Sequence, residues 1–354
     1  MSLPASPTVS HSLPEDFDRA TLVARVWVPA IGAPTPALLR PDGVYDLAPI
    51  APTVSQLLEL DEPLASICSA GSLTRLAMPA ETLANSAADA RDPARPWFLA
   101  PCDLQPVKAA GVTFVASMLE RVIEEQARGD PAKAESTRAA IIAVIGDNLS
   151  RVVPGSPEAA ELKQLLVARG AWSQYLEVGI GPDAEIFTKC PPMAAVGTGA
   201  EIGILANSQW NNPEPEIVLA VTSRGTIAGA TLGNDVNLRD YEGRSALLLG
   251  KAKDNNASCA IGPFIRLFEG SFSLEDVRRA DIAMRVDGPD GFVMHGSSPM
   301  RRISRDPADL VRHAIGPHHQ YPDGLMLFLG TMFAPTQDRF GPGQGFTHAV
   351  GDVV

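Results

Sequence analysis

Two short segments in the middle of the chain decide the fold. The first reads NNPEPEIVLAV over Asn211–Val221, and the second reads NDVNLRD over Asn234–Asp240. The run Ile217–Thr222 is apolar and rich in β-branched residues, which is typical of a buried strand. Gly225 and Gly229 lie between the two segments, where hairpin turns are expected. The sequence therefore predicts an antiparallel hairpin that brings the two segments together.

The hairpin gathers three carboxylates. Glu214 and Glu216 lie two residues apart at the mouth of the first strand, so both side chains point to one face. Like charges on one face repel unless a cation lies between them. A Glu-x-Glu pair alone is more often a solvated acidic turn, but the hairpin adds Asp235. Three carboxylates with open positions suit Mg²⁺, Mn²⁺ or Ca²⁺ better than zinc. Lys253 follows closely, and a lysine beside a metal and an acidic substrate can neutralise a carboxylate or move a proton.

The composition limits the partners. The chain has 354 residues, and 29 Lys plus Arg against 41 Asp plus Glu give a net charge of −12. Nucleic acid and anionic membrane surfaces are therefore poor partners. The apolar runs near Ala139–Ile145 and Leu325–Phe333 fall short of the ~18 residues of a membrane span. Four scattered cysteines without a CxxC pair favour a reduced, cytoplasmic protein.

The pattern along the chain predicts an α+β protein. Residues 1–20, rich in Pro and Ser, read as a flexible tail, and residues 21–105 as a small β-rich N-terminal domain. That domain holds a strand at Thr21–Val28 and a helix at Thr53–Leu60, capped by Thr53. Residues 106–354 form a second domain with a helical insertion at about 115–170. The insertion contains three amphipathic or capped segments, at Val115–Arg128, Pro131–Ile145 and Pro157–Arg169. After Trp172, strand runs separated by turns argue against an alternating βαβ sheet.

The order of these motifs resembles the fumarylacetoacetate hydrolase superfamily. Glu-x-Glu is followed by NDVxxRD, by AK with IGPF, and by a late Gly-Thr, over about residue 106 to the C-terminus. The resemblance implies a mixed β-sandwich roll and a homodimer or homotetramer. It implies Mg²⁺, or Mn²⁺ or Ca²⁺ in the same site. The residues it implicates are Glu214, Glu216 and Asp235 as metal ligands, Lys253 as the catalytic lysine, and Arg239, Gly330 and Thr331 as substrate-binding residues. The family's closing strand follows a Gly-Asp turn, and here the chain stops at Gly351–Val354, which predicts a truncated final strand.

One departure from the superfamily bears on the reaction. Hydrolase members use a histidine and a glutamate to activate water, and the matching segment here reads GVTFVASMLE over Gly111–Glu120. Glu120 keeps the glutamate, but Ser117 stands at the histidine position. Without an imidazole to take its proton, water is poorly activated near pH 7. A C–C bond hydrolase of the acylpyruvate or fumarylacetoacetate type is the alternative, and a sugar-acid-binding member without activity is a third reading.

The wider sequence resembles one branch, the dehydratases of 2-keto-3-deoxy sugar acids. The strings SQYLEV at Ser173–Val178, HQYPDG at His319–Gly324 and LFLGTMFAP at Leu327–Pro335 carry this likeness. It implies dehydration of 2-keto-3-deoxy-D-pentonate, the same compound from D-xylonate or D-arabinonate, to 2-oxoglutarate semialdehyde through a metal-stabilised enolate. Glu120 is then expected to act on the departing C4 hydroxyl and Lys253 on the enolate side, or the reverse. Ser117 would border the substrate, and Thr331 would hold its carboxylate.

Overall fold

A computed structural model describes residues 12–114, 118, 152–168, 170, 172–335, 337–342 and 344–354. Most of the predicted helical insertion, including the segments Val115–Arg128 and Pro131–Ile145, lies outside these residues. The third predicted helix is confirmed at Pro157–Ala168. Its N-terminus is capped as expected, because the Ser156 hydroxyl accepts a hydrogen bond from the Ala159 amide at 3.2 Å.

Sixteen strands are present in the described part of the chain. They are β1 Leu22–Val28, β2 Ala33–Arg40, β3 Gly43–Asp46, β4 Arg75–Ala77, β5 Trp97–Leu99, β6 Val107–Gly111, β7 Glu185–Cys190, β8 Asn211–Asn212, β9 Pro215–Val221, β10 Ile227–Asp235, β11 Asn237–Leu238, β12 Cys259–Ile261, β13 Phe264–Leu267, β14 Asp281–Asp287, β15 Val293–Pro299 and β16 Leu325–Phe328. The α-helices are α1 Val54–Glu59, α2 Pro63–Ser69, α3 Pro79–Ala84, α4 Pro157–Ala168, α5 Gln174–Ile180, α6 Arg239–Glu242, α7 Leu249–Lys253, α8 Leu274–Arg279 and α9 Pro307–Ala314.

Twelve of the strands form one sheet. Its main path runs β4-β3-β2-β1-β13-β10-β9-β16-β6-β7, with β12 paired to β10 and β5 paired to β1. Among the pairs of named strands, only β6 and β16 run parallel. The fold is thus mixed α/β with a large, mostly antiparallel sheet, and the α+β prediction is confirmed at this level. The helices are short because the strands connect mainly through turns rather than crossovers.

The sheet continues across the predicted domain boundary at residues 105 and 106. Strand β1 pairs with β13, with Leu22 opposite Arg266. One apolar core cluster contains Val23 from β1 together with Val218 and Phe328 from the second half of the chain. Strands from both sides therefore share one sheet and one core, and the division into two domains stays a prediction.

The central hairpin forms as predicted, with one correction. Strands β9 and β10 pair antiparallel, and the turn between them closes at Gly225, whose φ is +76°. Gly229, expected in a turn, lies inside β10 beside a bulge. A Cβ atom there would come within 2.3 Å of the Arg266 carbonyl oxygen. Gly229 is therefore required by the close approach of β13 rather than by a turn.

Strands β14 and β15 form a separate hairpin that receives the end of the chain. Val353 makes an isolated antiparallel bridge with Asp287. The fully buried Arg339 guanidinium binds Asp352 through two nitrogens, each 2.6 Å from a carboxylate oxygen. The same guanidinium contacts Asp290 in the turn between β14 and β15, with Nη2 3.1 Å from Oδ1, so Arg339 joins the end of the chain to the hairpin. Within the described ranges, no helix combines the length and the apolar character needed to span a bilayer.

Candidate metal centre and active site

The candidate site lies where strands β9 and β10 pair antiparallel. Glu216 lies opposite Gly233 in the β9–β10 pair, and the Asp235 amide donates to the Glu214 carbonyl at 2.9 Å. The same register continues into β8 and β11, where Asn212 lies opposite Asn237. Side chains at alternate positions of a strand share a face, and directly opposite residues are cross-strand neighbours. The geometry therefore brings Glu214, Glu216 and Asp235 together, as the sequence predicted.

The three carboxylates form a compact, buried donor set. One oxygen from each of Glu214, Glu216 and Asp235 lies within 4.8 Å of the other two. Glu214 is 9% exposed, Glu216 2% and Asp235 1%. Buried carboxylates at this separation repel one another strongly unless cations neutralise them. An all-oxygen set of this kind fits a hard divalent cation such as Mg²⁺, which would take these three residues as ligands.

Lys253 brings a positive charge into the same centre. It is the last residue of α7, and its ammonium donates to a Glu214 oxygen and, at 3.0 Å, to Asp235 Oδ2. Burial lowers the pKa of Lys253, but the charges of Asp235 and Glu214 outweigh burial and raise this pKa above its ordinary value. In this arrangement Lys253 carries a firmly held positive charge, which suits an electrostatic partner of negatively charged groups.

A second buried lysine, Lys189 on β7, was missed by the sequence reasoning. Its side chain is fully buried, and its Nζ lies 2.9 Å from Asp235 Oδ1. The same ammonium donates to the carbonyls of Val236 at 2.9 Å and Lys253 at 2.5 Å. Lys189 thereby ties the predicted metal ligand Asp235 to the end of α7. The available signal was a lysine within the strand run EIFTKC, because lysine is almost never fully buried unless it is paired.

The pKa values of Asp235 and Glu216 are shifted in opposite directions, because the two lysines lie against Asp235. Burial raises the pKa of Asp235, but Lys189 and Lys253 outweigh it and lower this pKa below the ordinary value. Glu216 lies farther from these cations. Burial, followed by the charges of Asp235 and Glu214, raises the pKa of Glu216 well above its ordinary range. A divalent cation among the three carboxylates would favour their charged forms and relieve this cost.

The predicted substrate-binding pair Gly330 and Thr331 lies beside Glu216. The Gly330 amide donates to Glu216 Oε2 at 2.6 Å. Gly330 has φ +87°, and a Cβ there would come within 2.0 Å of Thr113 Oγ1, so glycine is needed for both reasons. The Thr331 hydroxyl accepts a hydrogen bond from the Phe333 amide at 3.1 Å.

The remaining predicted residues are placed differently. Arg239 begins α6, and its guanidinium carbon lies 4.5 Å from the centre of the Trp210 ring. Ser117 and Glu120 lie outside the described residues, so their predicted roles stay predictions. Just before them, the carbonyl of the buried Phe114 accepts a hydrogen bond from the Met118 amide at 2.9 Å.

The fold and the site define a class, namely a mostly antiparallel α/β protein with a carboxylate centre for a hard divalent cation. No protein-family model matches the chain. Two curated relatives do. The chain is 31% identical over 155 residues to 2-dehydro-3-deoxy-D-arabinonate dehydratase of Saccharolobus solfataricus, which covers 44% of this chain and 51% of that protein. It is 31% identical over 163 residues to a probable 2-keto-3-deoxyxylonate dehydratase of Haloferax volcanii, covering 46% and 55%. The chain thus matches about half the length of these relatives.

Solved structures agree with the fold. A 2-keto-3-deoxy-D-arabinonate dehydratase complexed with magnesium and 2,5-dioxopentanoate has a TM-score of 0.63 and 20% identity, over 94% of this chain and 92% of that one. The apo form of a protein of the same name has a TM-score of 0.62 and 19% identity over the same shares. The resemblance to dehydratases of 2-keto-3-deoxy sugar acids, predicted from the motifs, is confirmed by these relatives.

Proposed function

We propose that this protein is a metal-dependent hydro-lyase that converts 2-keto-3-deoxy-D-pentonate to 2-oxoglutarate semialdehyde and water. The proposal rests on the pairing of β9 with β10, which brings Glu214, Glu216 and Asp235 within 4.8 Å of one another, next to Lys253. Two relatives are named dehydratases of this substrate class. A structural neighbour was solved with magnesium and 2,5-dioxopentanoate, which is another name for the semialdehyde.

The chemistry divides between the cation and the side chains. Glu214, Glu216 and Asp235 would hold the ion, and Mg²⁺, when bound, supplies Lewis-acid polarisation of a 2-keto acid. Gly330 and Thr331 would orient the substrate carboxylate, because this pair lies next to Glu216. The buried ammonium of Lys253 would stabilise the negative charge that develops when a C3 proton leaves.

The departing hydroxyl needs a proton. We assign this step to Glu120, which stands where the hydrolases handle water, with Ser117 beside the substrate in place of their histidine. The C3–H bond breaks and its proton passes to the acid–base group on the enolate side. The C4–O bond breaks as the C4 oxygen takes its proton and leaves as water. Tautomerisation then moves one proton from C5 and one from its hydroxyl to C3 and C4, which leaves C5 as an aldehyde. Lys253 and Glu120 are the two acid–base groups, and their order in the sequence of proton transfers could be reversed.

The reaction is tested by its product. The protein, loaded with Mg²⁺, is incubated with 2-keto-3-deoxy-D-pentonate, and products are followed by an aldehyde reagent and by NMR. We expect the semialdehyde, and formation of pyruvate instead would overturn the dehydratase assignment. Acylpyruvates in parallel incubations test the hydrolase reading, which requires C–C cleavage. Glu216→Gln, which lacks one metal ligand, is the matched negative control.

Several finer expectations accompany this proposal. We propose the β-sandwich roll of the superfamily for residues 106–354, a small β-rich domain for residues 21–105, and a homodimer or homotetramer measurable by light scattering. A reduced, cytoplasmic protein is supported by the four cysteines, all of which are free thiols, three of them buried.

A further inference from the structure

The polar face of the site continues past the carboxylates. Asn212 lies two residues before Glu214, and Asn237 two residues after Asp235, so both asparagines share the face of the carboxylates. Asn212 is 2% exposed and Asn237 is fully buried. The Nδ2 of Asn212 donates to the Pro213 carbonyl at 3.0 Å, which fixes its amide orientation. Within the described part of the chain, the Oδ1 atoms of both asparagines have no hydrogen-bond partner.

A carboxylate adjoins this asparagine pair. The Nδ2 of Asn237 donates to Glu242 Oε2 at 2.5 Å, so Asn237 holds the last residue of α6 beside strand β11. Two buried amide oxygens that lack a donor thus lie next to the catalytic centre, beside the Glu242 carboxylate. Buried acceptors of this kind require donors.

Asn212 and Asn237 lie at one end of the paired strands β8–β9 and β10–β11. The Gly330 amide contacts Glu216 at the opposite end. From Glu214 to Asn212 is two residues of extended chain, which is about 7 Å. A five-carbon acid with C–C bonds of ~1.5 Å spans roughly 5 Å. With its carboxylate and ketone at the carboxylate centre, the rest of such a substrate plus a hydrogen bond of about 2.8 Å would cover the roughly 7 Å to Asn212, so C4 and C5 would point toward Asn212 and Asn237.

We propose that Asn212, Asn237 and Glu242 form the subsite that recognises the C4 and C5 hydroxyl groups of the substrate. The inference deepens the proposed function and rests on it. In the bound substrate each hydroxyl donates a hydrogen bond to one of these acceptors, and the C4–O bond then breaks with the proton that Glu120 supplies. The subsite also selects against keto acids whose far end is a carboxylate, because a carboxylate has no donor to offer the two asparagine oxygens. It therefore distinguishes a hydroxylated sugar acid from an acylpyruvate that ends in a carboxylate.

The test compares two substrates that share the keto acid end. 2-Keto-3-deoxy-D-pentonate carries both hydroxyls, whereas 2-oxobutyrate carries none and reports only exchange of its C3 protons with D₂O by NMR. The variants are Asn212→Ala and Glu242→Gln, with the exposed Asn207→Ala as the matched control. Hydrogen bonds to charged groups contribute about 1.5–3 kcal/mol and neutral ones about 0.5–1.5 kcal/mol, so we expect kcat/KM for dehydration to fall roughly 10- to 100-fold in Glu242→Gln and roughly 2- to 10-fold in Asn212→Ala. C3 exchange in 2-oxobutyrate and Mg²⁺ affinity should stay within about twofold of wild type.

The outcomes separate the two proposals. If wild type dehydrates the pentonate and both variants lose dehydration but keep C3 exchange, the subsite is supported. If dehydration is unchanged in the variants, or if dehydration and exchange fall together, the subsite assignment is wrong. If wild type exchanges the C3 protons of 2-oxobutyrate but yields no aldehyde from the pentonate, the proposed function itself fails, whatever the variants do.

Discussion

Replacing Lys189 by methionine should destabilise the protein strongly without opening a cavity. Methionine nearly matches the length and volume of the lysine stem, so the loss is electrostatic. The ammonium contacts Asp235 and two backbone carbonyls, and all these groups are buried. Removing one partner of a buried ion pair costs about 3–5 kcal/mol, because the other charge is left uncompensated. Lys253 still neutralises part of the Asp235 charge, so we expect the lower half of this range.

The assay is thermal unfolding of the metal-free protein. Unfolding entropy scales as ~2.1 cal/mol/K per residue, so for 354 residues a loss of about 3–4 kcal/mol lowers Tm by roughly 4–5 °C. The matched control is Lys108→Met on the neighbouring strand β6. Lys108 is only partly buried and donates to the Thr188 hydroxyl at 2.8 Å, so its loss should move Tm by about 1 °C or less. Equal Tm values for the two variants would refute the assignment of Lys189 as the residue that anchors Asp235.

Three further predictions address the site and the chain end. Glu216→Gln should abolish the Tm increase caused by Mg²⁺. The metal-free variant should be at least as stable as wild type at pH 7, because the raised pKa means that the buried Glu216 charge costs folding energy. An undiminished Mg²⁺ response would show that the ligand is assigned wrongly. Glu120→Gln should cut turnover ~10²- to 10⁴-fold with unchanged Mg²⁺ affinity, measured by steady-state kinetics and calorimetry, and wild-type turnover would remove Glu120 from the chemistry. Asp352→Asn should cost about 3 kcal/mol in urea unfolding at pH 7. Burial raises the pKa of Asp352, but hydrogen bonds from His348 and Arg339 outweigh burial and lower this pKa. The difference in free energy of unfolding between variant and wild type should therefore shrink as the pH falls below about 4. A difference independent of pH would contradict the ion-pair explanation.

The sequence by itself determined the core of the site because the relevant contacts are local. Glu214 and Glu216 share a face through the two-residue period of a strand, which depends only on backbone geometry. Asp235 joins them through a hairpin whose strands are adjacent in sequence and whose turn contains Gly225. The order of motifs also led to the correct group of relatives. Short-range rules were sufficient for each of these inferences.

Only the tertiary structure decided what surrounds the carboxylates. Lys189 meets the Val236 carbonyl across 47 positions of sequence, and the Gly330 amide meets Glu216 across 114. No local pattern encodes such pairings, because they depend on which strands become neighbours in the sheet. The same holds for Gly229, which the sequence placed in a turn and which the packing of β13 requires inside a strand. A chain fixes its turns and faces by local sterics, whereas the charge balance of a buried centre depends on contacts between distant segments that form only when the whole sheet assembles.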